Sequence, residues 1–283
     1  MPADPGVGPA LDAAPGPERP LERGRGPVMP GAEPFAAAGV APSCGGALVL
    51  HGFTGSPHSV RGVARALADA GMAVEAPLLP GHGTTPDDMV ATTWDDWRAA
   101  AEASWADLDA RCDAVVVVGL SMGGTLAAAL AADHPEIAGI VAVNPYIDPP
   151  AASFQDLLRG VLAAGETWVP GIGSDIARPG ASEVGYSGTP VEPLLSLCHA
   201  LDRLHPRLEA IACPVLLMTS RVDHVVPPVS SDVLAAAVTG PVERVWLEHS
   251  YHAATLDTDG DEIERRTVAF ATKVVGARLR SAG

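Results

Sequence analysis

A run of largely β-branched residues, Ala114-Val115-Val116-Val117-Val118, stops at Gly119 and leads through Leu120-Ser121-Met122-Gly123-Gly124 into a small-residue run, Leu126 to Ala132. The first run has the character of a buried strand and the second the length and propensity of a helix. Ser121 therefore falls on a strand-to-helix turn with the pattern G-x-S-x-G. Gly119 and Gly123 lack the Cβ atoms that would clash when the backbone folds sharply, which leaves the serine hydroxyl exposed above a sheet. The helix that follows aims free amide N–H groups and the positive end of its dipole at the same place, so a negative charge developing there is stabilised.

The rest of the chain repeats this alternation. Ala47 to Leu50 is a short buried strand ending in the glycine-bracketed loop His51-Gly52-Phe53-Thr54-Gly55. Ser56-Pro57 opens a helix that runs to Gly71, with Ser56 as its expected cap. A strand over Met72 to Leu78 precedes the tight turn Pro80-Gly81-His82-Gly83, and a helix runs from Thr93 to about Arg111. After the serine unit come a strand over Ile137 to Asn144, then strands at Pro214 to Met218 and Val242 to Leu247 separated by a helix over Val229 to Val238. Asp257 and Thr258 supply capping chemistry for a terminal helix from Glu262 to about Leu279. Strands alternating with helices predict an α/β protein with a mostly parallel sheet.

Two stretches break the pattern. Residues 1–30 are rich in Pro, Gly and charge without periodicity and read as a disordered N-terminal extension, with Met29 an alternative start. Residues 31–283 form one domain, and the long excursion at about 145–206, with weak helical pieces and Gly/Pro-rich links, reads as a cap over the site.

Composition narrows the chemistry. With 283 residues and a formal net charge of −16, the chain repels nucleic acid and anionic membrane surfaces. The partner this leaves is a neutral small molecule. Lys273 is the single lysine and lies in the terminal helical pattern, which excludes Schiff-base chemistry. Cys44, Cys112, Cys198 and Cys213 show no C-x-x-C spacing, so neither a metal site nor a disulfide framework is expected, and the compartment is read as the reducing cytoplasm. No apolar run is long enough to span a membrane.

A serine hydroxyl is a poor nucleophile unless a base removes its proton, and that base must itself be oriented by a third group. In open α/β sheets reactive groups collect beyond the carboxyl ends of the strands. Ser121, Asp223 and His252 each follow such an end, in the chain order Ser, Asp, His expected when a nucleophile elbow sits on an α/β-hydrolase sheet. His252 is preferred to His249 as base because it lies farther into its loop, where the ring can reach Ser121. Asp223 is preferred to Asp148, which enters the irregular excursion, and to Glu248, which is too close to its strand. The oxyanion donors expected are the amide of Met122, the residue after the nucleophile, and that of Phe53 in the loop after the first long strand.

Five segments, HGFTG (51–55), PGHGT (80–84), GLSMGGT (119–125), DHVVP (223–227) and SYHAATLD (250–257), together resemble the bacterial carboxylesterase and monoacylglycerol lipase family of α/β-hydrolases, most of all the monoglyceride lipases of bacilli. The likeness runs from about Gly31 to the terminal helix. It implies Ser121 as nucleophile, Asp223 as acid, His252 as base, and the Phe53 and Met122 amides as oxyanion donors. It also implies a small cap carrying a glutamate that hydrogen-bonds the glycerol head group, and Glu166 occupies that neighbourhood. The expected activity is hydrolysis of carboxylic esters through an acyl-enzyme, with monoacylglycerols as substrates and no metal or cofactor required. A general short-to-medium-chain carboxylesterase or thioesterase and a non-catalytic ligand-binding relative are the competing readings.

Overall fold

Alternate residues of each central strand face opposite sides of a sheet, and here both sides are apolar. Strand β4 (Ala114–Leu120) sends Val115 and Val117 into one buried cluster, and Val116 and Val118 into the other. A strand buried on both faces needs helices on both, and the chain supplies them. Helices α1 (Arg61–Asp69) and α8 (Gly260–Ala282) cover one face through Val63, Leu67, Ile263, Phe270 and Val274. Helices α3 (Trp94–Asp109), α4 (Met122–Asp133) and α6 (Val191–Leu204) cover the other through Trp97, Leu126, Leu130 and Leu197.

The computed structural model describes residues 26–40 and 45–282. Strands β1 (Phe35–Ala38), β2 (Gly45–Leu50), β3 (Ala73–Ala76), β4, β5 (Gly139–Val143), β8 (Val215–Ser220) and β9 (Val242–Leu247) form a seven-stranded sheet in the order β1-β3-β2-β4-β5-β8-β9. All neighbours are parallel except β1, which pairs antiparallel with β3, Phe35 opposite Ala76. The sheet is thus the mostly parallel α/β sheet expected. Two short helices complete the flanks, α2 (Pro86–Val90) after the PGHGT turn and α7 (Val229–Ala237) after β8.

Between β5 and β8 lie α5 (Ala152–Ala163), an antiparallel pair of three-residue strands, β6 (Trp168–Pro170) and β7 (Gly188–Pro190), and α6. Helix α6 is not irregular: Leu197, Ala200 and Leu204 join the main core beside α3, so the excursion proper ends near Pro190. Only the portion from about 146 to 190 departs from the layered architecture.

Three local expectations come out differently. Residues 26–30, placed by sequence in a disordered extension, are bound to the body: the Gly26 N–H donates to Asp88 (2.8 Å) and that of Met29 to the Gly83 carbonyl (2.8 Å). The remainder of that extension, residues 1–25, and Cys44 lie outside the described residues. Ser56 does not cap its helix; its hydroxyl donates to the carbonyl of Val184 in the excursion (2.6 Å). Asp257 precedes α8, but its carboxylate mainly serves another purpose, accepting from the amides of Ala177, Arg178 and Tyr251 as well as Thr258. Burial alone would raise that carboxyl; these amides outweigh it and hold Asp257 below the usual carboxylate range.

Candidate active site

Strand β4 ends against α4 with no room between them, and the turn that joins them is strained. Ser121 sits at φ 55°, ψ −117°, a backbone conformation that costs an ordinary residue on the order of 1–3 kcal/mol. A Cβ on Gly119 would collide with the backbone of Gly123, and one on Gly123 with the Leu50 carbonyl, so both positions require glycine. The elbow is pinned from two sides: the Ser121 N–H donates to Val143 of β5 (3.0 Å), and its carbonyl accepts from Gly124 (2.9 Å). Besides Ser121, the non-glycine residues at positive φ among the described residues are Thr54 (61°) and Asn144 (44°), in the loops that follow β2 and β5. Strain collects along one edge of the sheet, the edge where its strands end.

The loop after β2 lies against the elbow, close enough that a Cβ on Gly52 would stand 3.4 Å from that of Ser121. Phe53 follows, its ring packed 5.5 Å from Trp97 and 6.3 Å from His82. On the other side, Met122 opens α4, whose first N–H groups have no partner within the helix. The loop that carries Phe53 and the first turn of α4, whose amides the sequence names as oxyanion donors, therefore flank the same serine.

His51 holds the first loop in place. Its Nδ1 contacts the Gly52 carbonyl (2.9 Å) and its Nε2 accepts from the Leu79 N–H (3.2 Å), a pairing that requires the neutral ring with its proton on Nδ1. Complete burial lowers the His51 pKa from 6.5 to about 4, and burial pushes neighbouring His82 well below its ordinary value too. Because the folded pKa is depressed, the stability His51 contributes is full above pH 6.5 and is lost as pH falls toward 4, and His82 acts in the same direction. His51 alone gives a loss of about 3 kcal/mol across that window. Urea midpoints measured between pH 7.5 and 4 are expected to fall accordingly, and a flat profile would contradict two buried neutral imidazoles.

Asp223 and His252 meet. Nδ1 of His252 lies 2.8 Å from Oδ2 of Asp223, with the aspartate side chain 2% exposed and the histidine 11%. The other aspartate oxygen accepts from the amides of Val225 (2.9 Å) and Val226 (2.8 Å), so the carboxylate is fixed from both ends. The alternatives lie elsewhere. His249 and Glu248 are exposed, Glu248 pairing with Arg221, and the Asp148 backbone is held by Ser230 beside α7.

Sequence reasoning had no means of finding two acidic residues of the excursion. Asp175 accepts from the backbone amides of His224 (3.1 Å) and His252 (3.1 Å) and pairs with the His224 ring (2.7 Å). Glu183 brings its carboxylate against Gly55. Burial raises its pKa, His252 opposes that rise, and Asp175 adds to it. Glu166, expected to reach the site, is instead exposed in the turn after α5, where its amide donates to Val161. Asp175, Ala177 and Arg178 bond to the loops after β8 and β9, which brings the later segment of the excursion to the site, whereas the turn that carries Glu166 bonds back to the end of α5.

Comparison with known proteins identifies the family. The α/β-hydrolase fold family matches residues 48–182. The chain is 43% identical over 253 residues to the thermostable monoacylglycerol lipase of Bacillus sp. (strain H-257), covering 88% of this chain and 98% of that protein. It is 27% identical over 230 residues to a carboxylesterase of Bacillus subtilis (strain 168), covering 80% and 92%. Among solved structures, a metagenome-derived lipolytic enzyme superposes with a TM-score of 0.82 at 41% identity, over 87% of this chain and all (100%) of that one. The monoacylglycerol lipase of Paleococcus ferrophilus shares the fold, with a TM-score of 0.71 at 19% identity over 86% and 99%. The chain belongs to the α/β-hydrolase family, in its carboxylesterase and monoacylglycerol lipase branch.

Proposed function

We propose that the protein hydrolyses monoacylglycerols to fatty acid and glycerol through an acyl-enzyme on Ser121. The observation that carries this reading is the buried 2.8 Å pair of His252 and Asp223 on the same sheet edge as the strained Ser121 elbow. In this reading Nε2 of His252 takes the hydroxyl proton as Ser121 Oγ attacks the ester carbonyl, and Asp223 holds the ring in the tautomer that leaves Nε2 free to accept it. The Phe53 and Met122 amides receive the oxyanion. The imidazolium then protonates the departing glycerol oxygen, and water, activated by the same ring, releases the fatty acid. The excursion from about 146 to 190 serves as the cap. The cysteine pattern supports a cytoplasmic setting; among the described residues no helix is long and apolar enough to cross a membrane.

Two features support a lipid-like ester. The Bacillus relative named as a monoacylglycerol lipase is similar over nearly its whole length. Large apolar side chains are also left exposed on the excursion and beside the acid: Phe154, Leu157, Ile172, Val222, Val225 and Val229. Each methylene of an acyl chain buried against such a surface contributes about 0.8 kcal/mol, so chain-length preference is expected to be graded. Turnover of monoacylglycerols, with di- and triacylglycerols, p-nitrophenyl esters and acyl thioesters alongside, tests the assignment. A preference for p-nitrophenyl esters or thioesters would favour the general esterase or thioesterase reading instead.

For the glycerol head group we assign the cap glutamate as Glu183 rather than Glu166. Glu183→Gln is expected to raise KM for monoacylglycerol about tenfold, the worth of one hydrogen bond to a charged group, and to leave KM for p-nitrophenyl acetate near its starting value. Glu166→Gln is expected to change neither. The reverse pattern would return the head-group role to Glu166.

A further inference from the structure

The base faces a topological difficulty. Its loop leaves β9, the edge strand, whereas Ser121 leaves β4, three positions inward in the order β4-β5-β8-β9. At about 4.8 Å per strand the loop must cross back roughly 14 Å, over the ends of β8 and β5, to bring the imidazole to the serine. Something on the strands in between has to hold it there.

We infer that Asn144, the residue after β5, is the positioning residue that fixes this crossing. Its carboxamide nitrogen donates to the carbonyl of His252 itself (2.9 Å), lies 3.3 Å from that of Tyr251, and donates to Ser220 Oγ at the end of β8 (2.9 Å). Its oxygen accepts from the Ser220 N–H (2.7 Å), which settles the orientation of the amide: reversed, it would face a donor with a donor. The Ser220 hydroxyl in turn donates to the Tyr251 carbonyl (2.8 Å), so each polar atom of the two side chains is matched. Both residues are buried, Asn144 at 2% and Ser220 at 0% exposure.

The backbone around Asn144 ties in the remaining loops. Its own N–H donates to Met218 of β8 (2.9 Å), and the carbonyl of the preceding Val143 receives the Ser121 N–H (3.0 Å). Asn144 thus lies one residue from the strand that pins the elbow, beside the strand that leads to Asp223, and in direct contact with the backbone of His252. It is held at φ 44°, where asparagine is among the few side chains tolerated. It touches no reacting atom and acts through the placement of the ring.

The test separates placement from packing. Asn144→Asp keeps the shape and the acceptor toward Ser220 and, assayed at alkaline pH where its carboxyl is ionised, has no proton for the His252 and Tyr251 carbonyls. We expect kcat, referred to active sites titrated with a fluorophosphonate, to fall about a hundredfold in Asn144→Asp and in Asn144→Ala, with KM within twofold of the parent. Ser220→Ala, which removes one arm of the clamp, is expected to lose about tenfold in kcat and serves where the Asn144 variants fold poorly. Near-parental kcat per titrated site in Asn144→Asp, or in Ser220→Ala should that variant alone be folded, would overturn the inference. The inference rests on His252 being the base: loss of activity on replacing Asn144 but not on replacing His252 would strike that broader reading, whereas the opposite result would strike only the role of Asn144.

Discussion

Ser121→Ala is expected to lower kcat toward any ester by about a millionfold, because the three side chains act as a unit and removing the nucleophile forfeits the whole of the covalent route. Fold and ligand binding are expected to survive. The alanine is smaller than the serine it replaces, Gly119 and Gly123 still absorb the turn, and the backbone bonds from residue 121 to Val143 and Gly124 involve no side chain. Steady-state turnover of a monoacylglycerol with a thermal melt of the same preparation separates the outcomes: an intact melt with activity within tenfold of the parent would exclude Ser121 as nucleophile.

The second large effect concerns Asp223. Asn at this position retains an oxygen to accept from the Val225 and Val226 amides, so the loop is expected to hold its shape. Its other terminus, however, becomes an N–H group facing Nδ1 of His252 at the present 2.8 Å separation. The ring then has to present Nδ1 as acceptor and carry its proton on Nε2, the atom that must receive the proton of Ser121. A loss of about 10⁴ in kcat at neutral pH is expected, with KM little altered. Stopped assays at matched active-site concentration measure it. A loss below tenfold would show that another carboxylate orients the ring, and Asp175, already bonded to the His252 amide, is where to look.

These effects are large because the site is assembled from loop ends held by strands, and that arrangement explains what could be read in advance. The β4 run, the glycine-flanked serine and the residues following β8 and β9 carry their information locally: period, turn chemistry and position after a strand suffice to line up Ser121, Asp223 and His252 on one edge. Strand β1 has no such signal. Phe35-Ala36-Ala37-Ala38 contains no β-branched residue and is a strand only because β3 offers it an antiparallel edge. The three-residue β6 and β7 are likewise too short to show a period.

The cap shows the same limit at the site. Glu166 and Glu183 are both glutamates in a Gly- and Pro-rich segment, and nothing local distinguishes them. The difference arises from long-range stitching: the Tyr186 N–H to Thr54 (2.9 Å), the Tyr186 hydroxyl to the Gly81 and Thr85 carbonyls (2.8 Å each), and Ser56 to Val184. These bonds fasten residues 184–186 to the HGFTG and PGHGT loops and carry Glu183 with them. Ser56 and Asp257 were legible as capping types, yet both have partners more than seventy residues away in this same segment. Asn144 reads in sequence only as the last residue of a strand; its contacts to Ser220 and His252 follow from strand order, which sequence spacing does not encode.

The central claim, an activated serine at the β4–α4 elbow, is tested most directly by treating the full chain with a fluorophosphonate and mapping the adduct by mass spectrometry. The account predicts one adduct per chain, on Ser121, formed rapidly in the parent and at least a hundredfold more slowly in His252→Ala. An unlabelled Ser121 in folded protein, or labelling that proceeds at the same rate without His252, would contradict it.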